Sequence, residues 1–290
     1  MPVEGVIIGL RKKASPHEMV ASTTTGVDGK YEFNGVLPDE YEVGVETVAD
    51  GYSLSTSAIS PVDTTNGSVR NVDFTVAGTR TIGGDMTSLM KLFDSVSLPV
   101  EGATVILKER DGTNTLDTLE TVTTGPDGKY EFTGVIPGTF TVEVETVPDG
   151  YNLPALNPYR YLPITGRIVD VDTTIGSVDD ADFCTTGTSS ISGLVMLKHA
   201  ESGVMEPIHN AIVELSYEGR VFWYDTTDTT GRYEFTGLTP AGYLVRPNLR
   251  LVYDGDIRTT PREMRLSRFV GNAELPYFVT DGVESIHDRA

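Results

Sequence analysis

The stretch Thr124-Gly125-Pro126-Asp127-Gly128-Lys129-Tyr130-Glu131-Phe132-Thr133-Gly134-Val135-Ile136-Pro137 decides the fold. Asp127-Gly128 marks a tight turn, and beyond it Tyr130 and Phe132 alternate with polar residues, so both aromatics share one face of a strand. Pro137-Gly138-Thr139 supplies the next turn, Pro by fixing φ and Gly by accepting a positive one. Phe140-x-Val142-x-Val144 then alternates as a second half-buried strand. No 3.6-residue apolar period persists over a helix-length window anywhere in the chain. Strand signals punctuated by turns every 8–12 residues or so predict β-sandwiches.

The same stretch recurs on either side. Thr25-Gly26-Val27-Asp28-Gly29-Lys30-Tyr31-Glu32-Phe33-Asn34-Gly35-Val36-Leu37-Pro38 precedes it, and Thr229-Thr230-Gly231-Arg232-Tyr233-Glu234-Phe235-Thr236-Gly237-Leu238-Thr239-Pro240 follows it. The first two copies share a later phrase, Val45–Tyr52 and Val144–Tyr151, where the third runs Val245-Arg246-Pro247-Asn248. Each copy closes on a Phe with Gly four residues on: Phe74 and Gly78, Phe183 and Gly187, Phe278 and Gly282. Because repeats decide architecture, the chain reads as all-β, with three tandem antiparallel Ig-like or prealbumin-like β-sandwiches. The expected divisions are 1–77, 78–186 and 187–281, followed by a tail at 282–290.

The copies do not start alike. Gly78-Thr79-Arg80-Thr81-Ile82-Gly83-Gly84 opens the second and Gly187-Thr188-Ser189-Ser190-Ile191-Ser192-Gly193 the third, each well before Pro99-Val100-Glu101-Gly102 or Pro207-Ile208-His209-Asn210. The first begins directly at Pro2-Val3-Glu4-Gly5, so it is expected to lack its N-terminal strand and to expose a sheet edge and a strip of core. The tail repeats the opening phrase, which makes Val283, Ser285 and Ile286 candidates for a donor strand that completes the first unit of a neighbouring copy. The alternative is a repeat trimmed at both ends.

Asp127–Phe132, Gly134–Val142 and Pro148–Tyr151 carry the phrases Asp-Gly-Lys-Tyr-x-Phe, Gly-Val-x-Pro-Gly-x-Phe-x-Val and Pro-x-Gly-Tyr. At these positions the sequence resembles the prealbumin-like sandwich shared by carboxypeptidase regulatory-like domains and the B-type repeats of bacterial surface adhesins. The resemblance covers nearly all of the chain and implies fold more than activity, since such domains serve as stalks, spacers, regulatory appendages and virion modules. B-type repeats often carry Asp-rich calcium loops near the first strand. The matching stretch 199–206 offers only Glu201 and Glu206 and no Asp-x-Asp pattern, so no metal site is assigned; Asp170, Asp172, Asp179, Asp180 and Asp182 read as a solvated face. The resemblance also implies an isopeptide cross-link, with Lys91 attacking Asp182 and Glu145 handling protons. Against it, the Glu145-to-Tyr151 spacing is one residue shorter than in the adhesin phrase.

Composition narrows function by exclusion. Forty-two Asp and Glu against 22 Lys and Arg give a net charge of −20, which repels nucleic acid and anionic lipid. Cys184, the single cysteine, excludes an intrachain disulfide, and His17, His199, His209 and His287 are scattered without ligand spacing. There is no phosphate loop, nucleophile elbow or His-Glu-x-x-His motif, so no catalytic residue or cofactor is assigned and a non-enzyme is expected. No apolar run approaches the roughly 20 residues of a membrane span, so membrane insertion is not expected. Met1 followed by no secretory leader pattern favours a virion-surface rod such as a decoration, turret or fibre component; the alternative is a cell-surface stalk, adhesin or filament subunit. Expected partners are proteins, through self-association or contact with virion or surface proteins, with a glycan or host receptor as a further class. Arg220, Trp223 and Tyr224 in the third copy are the candidate ligand contacts. The acidic surplus, with few Lys, suggests tolerance of high salt.

Overall fold

A computed structural model of the chain describes residues 1–14, 16–89, 97–109, 117–153, 166–198 and 202–248, and the strands at 262–265, 272–274 and 278–281. Within the described residues all repeating structure is β. Three separate hydrophobic cores, centred on Ile8 and Tyr41, on Phe132 and Phe140, and on Phe235 and Tyr243, define three units in chain order.

The first unit contains β1 (Ile7–Lys12), β2 (Met19–Thr24), β3 (Glu40–Thr47), β4 (Tyr52–Leu54), β5 (Ala58–Asp63) and β6 (Val76–Gly78). One sheet has the order β2-β1-β3-β5, and the other is only the pair β4-β6. The second unit adds β7 (Arg80–Leu89), β8 (Ser97–Pro99), β9 (Thr104–Glu109), β10 (Thr118–Thr123), β11 (Lys129–Val135), β12 (Thr139–Thr146), β13 (Tyr151–Asn152), β14 (Arg167–Asp172) and β15 (Phe183–Gly187). Its sheets run β10-β9-β12-β14 and β11-β7-β15-β13, with β8 also on β7. The third unit is built from β16 (Ser189–Lys198), β17 (Met205–Pro207), β18 (Ile212–Tyr217), β19 (Arg220–Thr226), β20 (Arg232–Leu238), β21 (Gly242–Asn248), β22 (Arg262–Arg265), β23 (Asn272–Glu274) and β24 (Phe278–Asp281). Its sheets run β19-β18-β21-β22 and β17-β16-β20, and β16 also carries β23 and β24.

The local chemistry works as the alternation requires. On β11, Tyr130 and Phe132 are buried while Glu131 between them is exposed, and on β12 Phe140, Val142 and Val144 face the same core. The preceding turn closes by Gly128 N–H donating to Gly125 C=O at 2.9 Å, with Gly128 at φ 78°. Only glycine adopts that φ without strain. The opening strand is central: β7 pairs antiparallel with β11 and parallel with β15, and β16 likewise pairs antiparallel with β20 and parallel with β24. The parallel pair arises because the first and last strands of a unit lie side by side and point the same way.

The first unit has no counterpart of β7 among the described residues. Residues 30–36, matching β11, and residues 72–75, matching the start of β15, lie in no ladder. The expectation of a missing first strand is therefore met in the middle of a sheet, between two flanking segments, and not at an outer edge.

Candidate functional site

Two features repeat or fail to repeat in an informative way: the junctions between units, and the cleft in the first unit. At the first junction Gly51, at φ 86°, lies against Pro137 and Arg80, so closely that a Cβ there would sit 2.4 Å from the Pro137 ring. Thr79 N–H donates to Gly51 C=O at 2.9 Å, and Arg80 forms a 2.6 Å ion pair with Asp50. The second junction repeats the first: Gly150 lies against Pro240, a Cβ would sit 2.6 Å from its ring, and Thr188 N–H donates to Gly150 C=O at 3.0 Å. It is supplemented by a buried contact of 3.1 Å between the Ser88 and Thr239 hydroxyls.

The cleft in the first unit has a volume of about 1800 Å³ and runs between residues 30–36 and 69–76. Tyr31, Phe33 and Phe74 face it, and their rings already hold the arrangement of the closed unit. Tyr31 to Phe33 is 5.9 Å edge-on and Tyr31 to Phe74 is 6.4 Å; the counterparts Tyr130 to Phe132 and Tyr130 to Phe183 are 5.8 and 6.2 Å. The Tyr31 hydroxyl donates to Val72 C=O at 2.5 Å, as Tyr130 donates to Ala181 C=O. Burial, aided by Asp73, pushes the Tyr31 hydroxyl up to about 12, so it stays protonated and keeps donating across the physiological range. What differs is cover: Phe132 and Phe183 are buried, whereas Phe33 and Phe74 are only half-buried.

The residues singled out by sequence fall in different places. Asp182 is half-buried beside β15 and accepts a hydrogen bond from Asp85 N–H at 2.8 Å. Glu145 is exposed on β12, in the opposite sheet, because alternation after buried Val144 turns it outward. It therefore does not supply the buried proton-handling carboxyl that an isopeptide site requires. Lys91 lies outside the described residues, as do Val283, Ser285 and Ile286. Arg220 and Tyr224 are exposed on β19, Tyr224 at 59%. Trp223 packs edge-on against Phe235, ring centres 5.5 Å apart. A register shift opposite Leu215 and Ser216 lets both Phe222 and Trp223 reach the core from adjacent positions, Phe222 against Tyr243 at 5.9 Å. Cys184 is buried, and burial lifts its thiol to about 11. Asp172 Oδ1 accepts from Thr174 N–H and Oγ1–H at 2.8 and 2.6 Å, so this acid caps a turn. Among the described residues no group of three or more His, Cys, Asp or Glu is placed to hold a metal ion.

Comparison with known proteins places these features in a family. The chain is 28% identical over 268 residues to serine-aspartate repeat-containing protein F of Staphylococcus epidermidis, covering 84% of this chain and 15% of that protein. It is 29% identical over 273 residues to serine-aspartate repeat-containing protein D of Staphylococcus aureus strain Newman, covering 84% of this chain and 20% of the relative. The chain thus spans a fifth or less of the length of these relatives. Among solved structures it is similar to the Bacillus anthracis TIE protein, at 14% identity and TM-score 0.41, covering 97% of this chain and 48% of that one. It is also similar to GBS52, the minor pilin of Streptococcus agalactiae, at 11% identity and TM-score 0.29, covering 73% of this chain and 100% of that one. The SdrD B-like domain model matches residues 1–87 and 92–158, more than half of the chain, and so the chain belongs to the SdrD B-like domain family.

Proposed function

We propose that residues 1–290 are a non-catalytic stalk segment of a bacterial cell-surface protein, a short semi-rigid rod of tandem SdrD B-like units. The observation that carries this reading is the junction. The same glycine-on-proline contact and the same Thr-to-Gly backbone hydrogen bond occur at Gly51 and Pro137 and again at Gly150 and Pro240. Side chains wedged against a backbone with no room for a Cβ resist bending, so each unit sets the direction of the next. The net charge of −20 serves the same purpose by keeping rods apart. A virion component gives way to this reading, since serine-aspartate repeat-containing proteins of Staphylococcus are among the relatives. Family membership with serine-aspartate repeat proteins supports protein partners at a cell surface; a ligand at Arg220 and Tyr224 is a secondary proposal, supported by their exposure on β19.

Small-angle scattering tests the rod. A compact globule of this length would have a radius of gyration of roughly 19 Å. Three units in line should give more than about 25 Å, unchanged across protein concentration. A value at the globular figure would overturn the proposal.

A further inference from the structure

The turn that follows β5, Asp63-Thr64-Thr65-Asn66-Gly67, carries a reactive pair that a stalk has no need of. We propose that Asn66 is a site of covalent self-modification: the Gly67 nitrogen closes a succinimide ring on the Asn66 carboxamide, and water opens the ring to isoaspartate or aspartate. The inference goes beyond the stalk reading and does not depend on it.

The chemistry needs only these two residues and water. Hydroxide takes the proton from Gly67 N–H, the nitrogen bonds to Asn66 Cγ, and the Cγ–Nδ2 bond breaks. Nδ2 leaves as ammonia after taking a proton from water, which returns the hydroxide. Water then adds to one of the two ring carbonyls. Breaking the bond from nitrogen to Cγ gives aspartate, and breaking the bond from nitrogen to the main-chain carbonyl carbon gives isoaspartate. No oxidant, metal or enzyme enters the balance.

The structure leaves both reacting groups free to meet. Asn66 and Gly67 are exposed at the tip of the turn. Gly67 lies at φ 125°, and nothing stands within 4 Å of the place a Cβ would take, so a planar ring has room to form. Among the described residues the Asn66 carboxamide makes one long contact, Nδ2–H to Thr65 Oγ1 at 3.3 Å. Gly67 N–H donates to Thr64 C=O at 3.2 Å, whereas the glycines of the Asp-Gly turns, Gly29 and Gly128, hold theirs at 2.8 and 2.9 Å. Other asparagines are shielded. Asn71 is followed by Val72, whose branched side chain crowds the attacking nitrogen. Asn210 is followed by fully buried Ala211, whose N–H donates to Thr227 Oγ1 at 2.8 Å.

The second unit shows that this exposure belongs to the turn itself. Asp172-Thr173-Thr174-Ile175-Gly176 repeats the stretch in a unit with both sheets complete and another unit before it. There Ile175, in the place of Asn66, is 91% exposed, and Gly176 again has nothing within 4 Å. The anchoring is shared as well: Thr64 Oγ1 accepts from Asp39 N–H at 3.1 Å and donates to Leu37 C=O at 3.0 Å, and Thr173 Oγ1 does the same with Gly138 and Ile136 at 3.1 and 2.8 Å. Ile175 has no carboxamide, so the second unit cannot react at this turn. The chain's other Asn-Gly pair, Asn34-Gly35, lies in the stretch 30–36, which joins no ladder in the first unit. Asn66 is therefore the pair whose surroundings a closed unit reproduces.

Modification has two structural consequences. Either product adds one negative charge to the net −20. Isoaspartate also routes the backbone through the side chain, which lengthens by one atom the turn closed by Gly67 N–H and Thr64 C=O. The change falls two residues from the threonine that ties the end of β5 to the start of β3.

The test ages the full 290-residue chain, folded and in urea, at two pH values either side of neutrality, and reads fragments cut before aspartates. The fragment 63–72 holds Asn66 and, as an internal control, Asn71. In the folded chain Asn66 is expected to gain the mass of an NH2-to-OH exchange, faster at the higher pH, and within several-fold of its rate in urea. Aspartate formed at 66 adds a new cut before that residue; isoaspartate does not, and is labelled by an isoaspartyl methyltransferase. Asn71 and Asn210 should stay unmodified in the folded chain over the same interval. Asn66→Gln should remove the isoaspartate label from this fragment and leave the melting temperature unchanged. A folded-state rate at Asn66 more than about tenfold below the rate in urea would mean that the turn protects its asparagine, and would overturn the proposal. So would a rate that does not rise with pH, or modification of Asn210 as fast as Asn66.

Discussion

A threonine hydroxyl closes the same loop in each unit. Thr25, Thr124 and Thr227 are 7%, 3% and 1% exposed. Each accepts a backbone N–H, from Val6, Ala103 and Ala211 at 3.0, 3.0 and 2.8 Å, and donates to the C=O of Val3, Val100 and Ile208 at 2.8, 2.6 and 2.7 Å. Valine at position 124 keeps the shape but strands a buried donor and a buried acceptor. Thr124→Val should therefore destabilise the second unit by about 1–3 kcal/mol, seen in urea unfolding as a lower midpoint with an unchanged slope; a neutral result would mean that water replaces the hydroxyl. Aspartates act in the exposed turns. Asp63, Asp172 and Asp228 are held below their ordinary 3.8, first by the side-chain hydroxyls of Thr65, Thr174 and Thr230 and then by backbone N–H groups. A depressed carboxylate favours the folded state above its unfolded pKa, and the benefit is lost as pH falls through the folded value. Melting temperature should accordingly hold steady down to about pH 4 and drop below it. NMR titration of the three carboxyls should show midpoints under 3.8.

Strand β7 is the element on which a unit depends, since it binds β11 on one side and β15 on the other. Its Gly84 is the sensitive point, because an added methyl would meet the Ala181 backbone at 2.3 Å. Gly84→Ala should cost about 1–3 kcal/mol of overpacking strain and lower the melting temperature of the second unit; no loss would mean that the Tyr130–Ala181 clasp yields easily. Much of this architecture was legible in the sequence. Asp-Gly turns and period-two aromatics fixed the strands around Tyr130 and Phe132, and the offset of Pro2 against Pro99 exposed the missing strand. Its central position was not legible, because alternation tells which face a residue takes but not which strand lies beside it. Trp223 was hard for a related reason: a bulge puts it and Phe222 on the same side, breaking the alternation that would turn one of them outward. Glu145 was readable, since it follows core-facing Val142 and Val144, but the role carried over from adhesin domains pointed the other way.

Along the whole chain two electrostatic effects compete. Close ion pairs such as Arg11–Glu46 and Lys108–Glu143, both 2.7 Å, favour the fold and weaken as salt rises. The net charge of −20 opposes compaction everywhere and is relieved by the same salt. Exposed pairs contribute about 0–1 kcal/mol each, and 42 acidic against 22 basic residues leave the negative charges in excess. Raising salt from about 0.1 M to 1 M shortens the screening length from about 10 Å to about 3 Å, below the spacing of most surface charges on a sandwich. Repulsion should be the larger loss, so the melting temperature is expected to climb between low and molar sodium chloride, with most of the gain at the low end. Glutamate-to-glutamine changes at exposed, unpaired positions should flatten that climb, whereas Glu143→Gln, which removes a short ion pair, should lower stability at low salt. A melting temperature that falls with added salt would show that the local pairs dominate, and the acidic surface would then need a role other than keeping the rods apart.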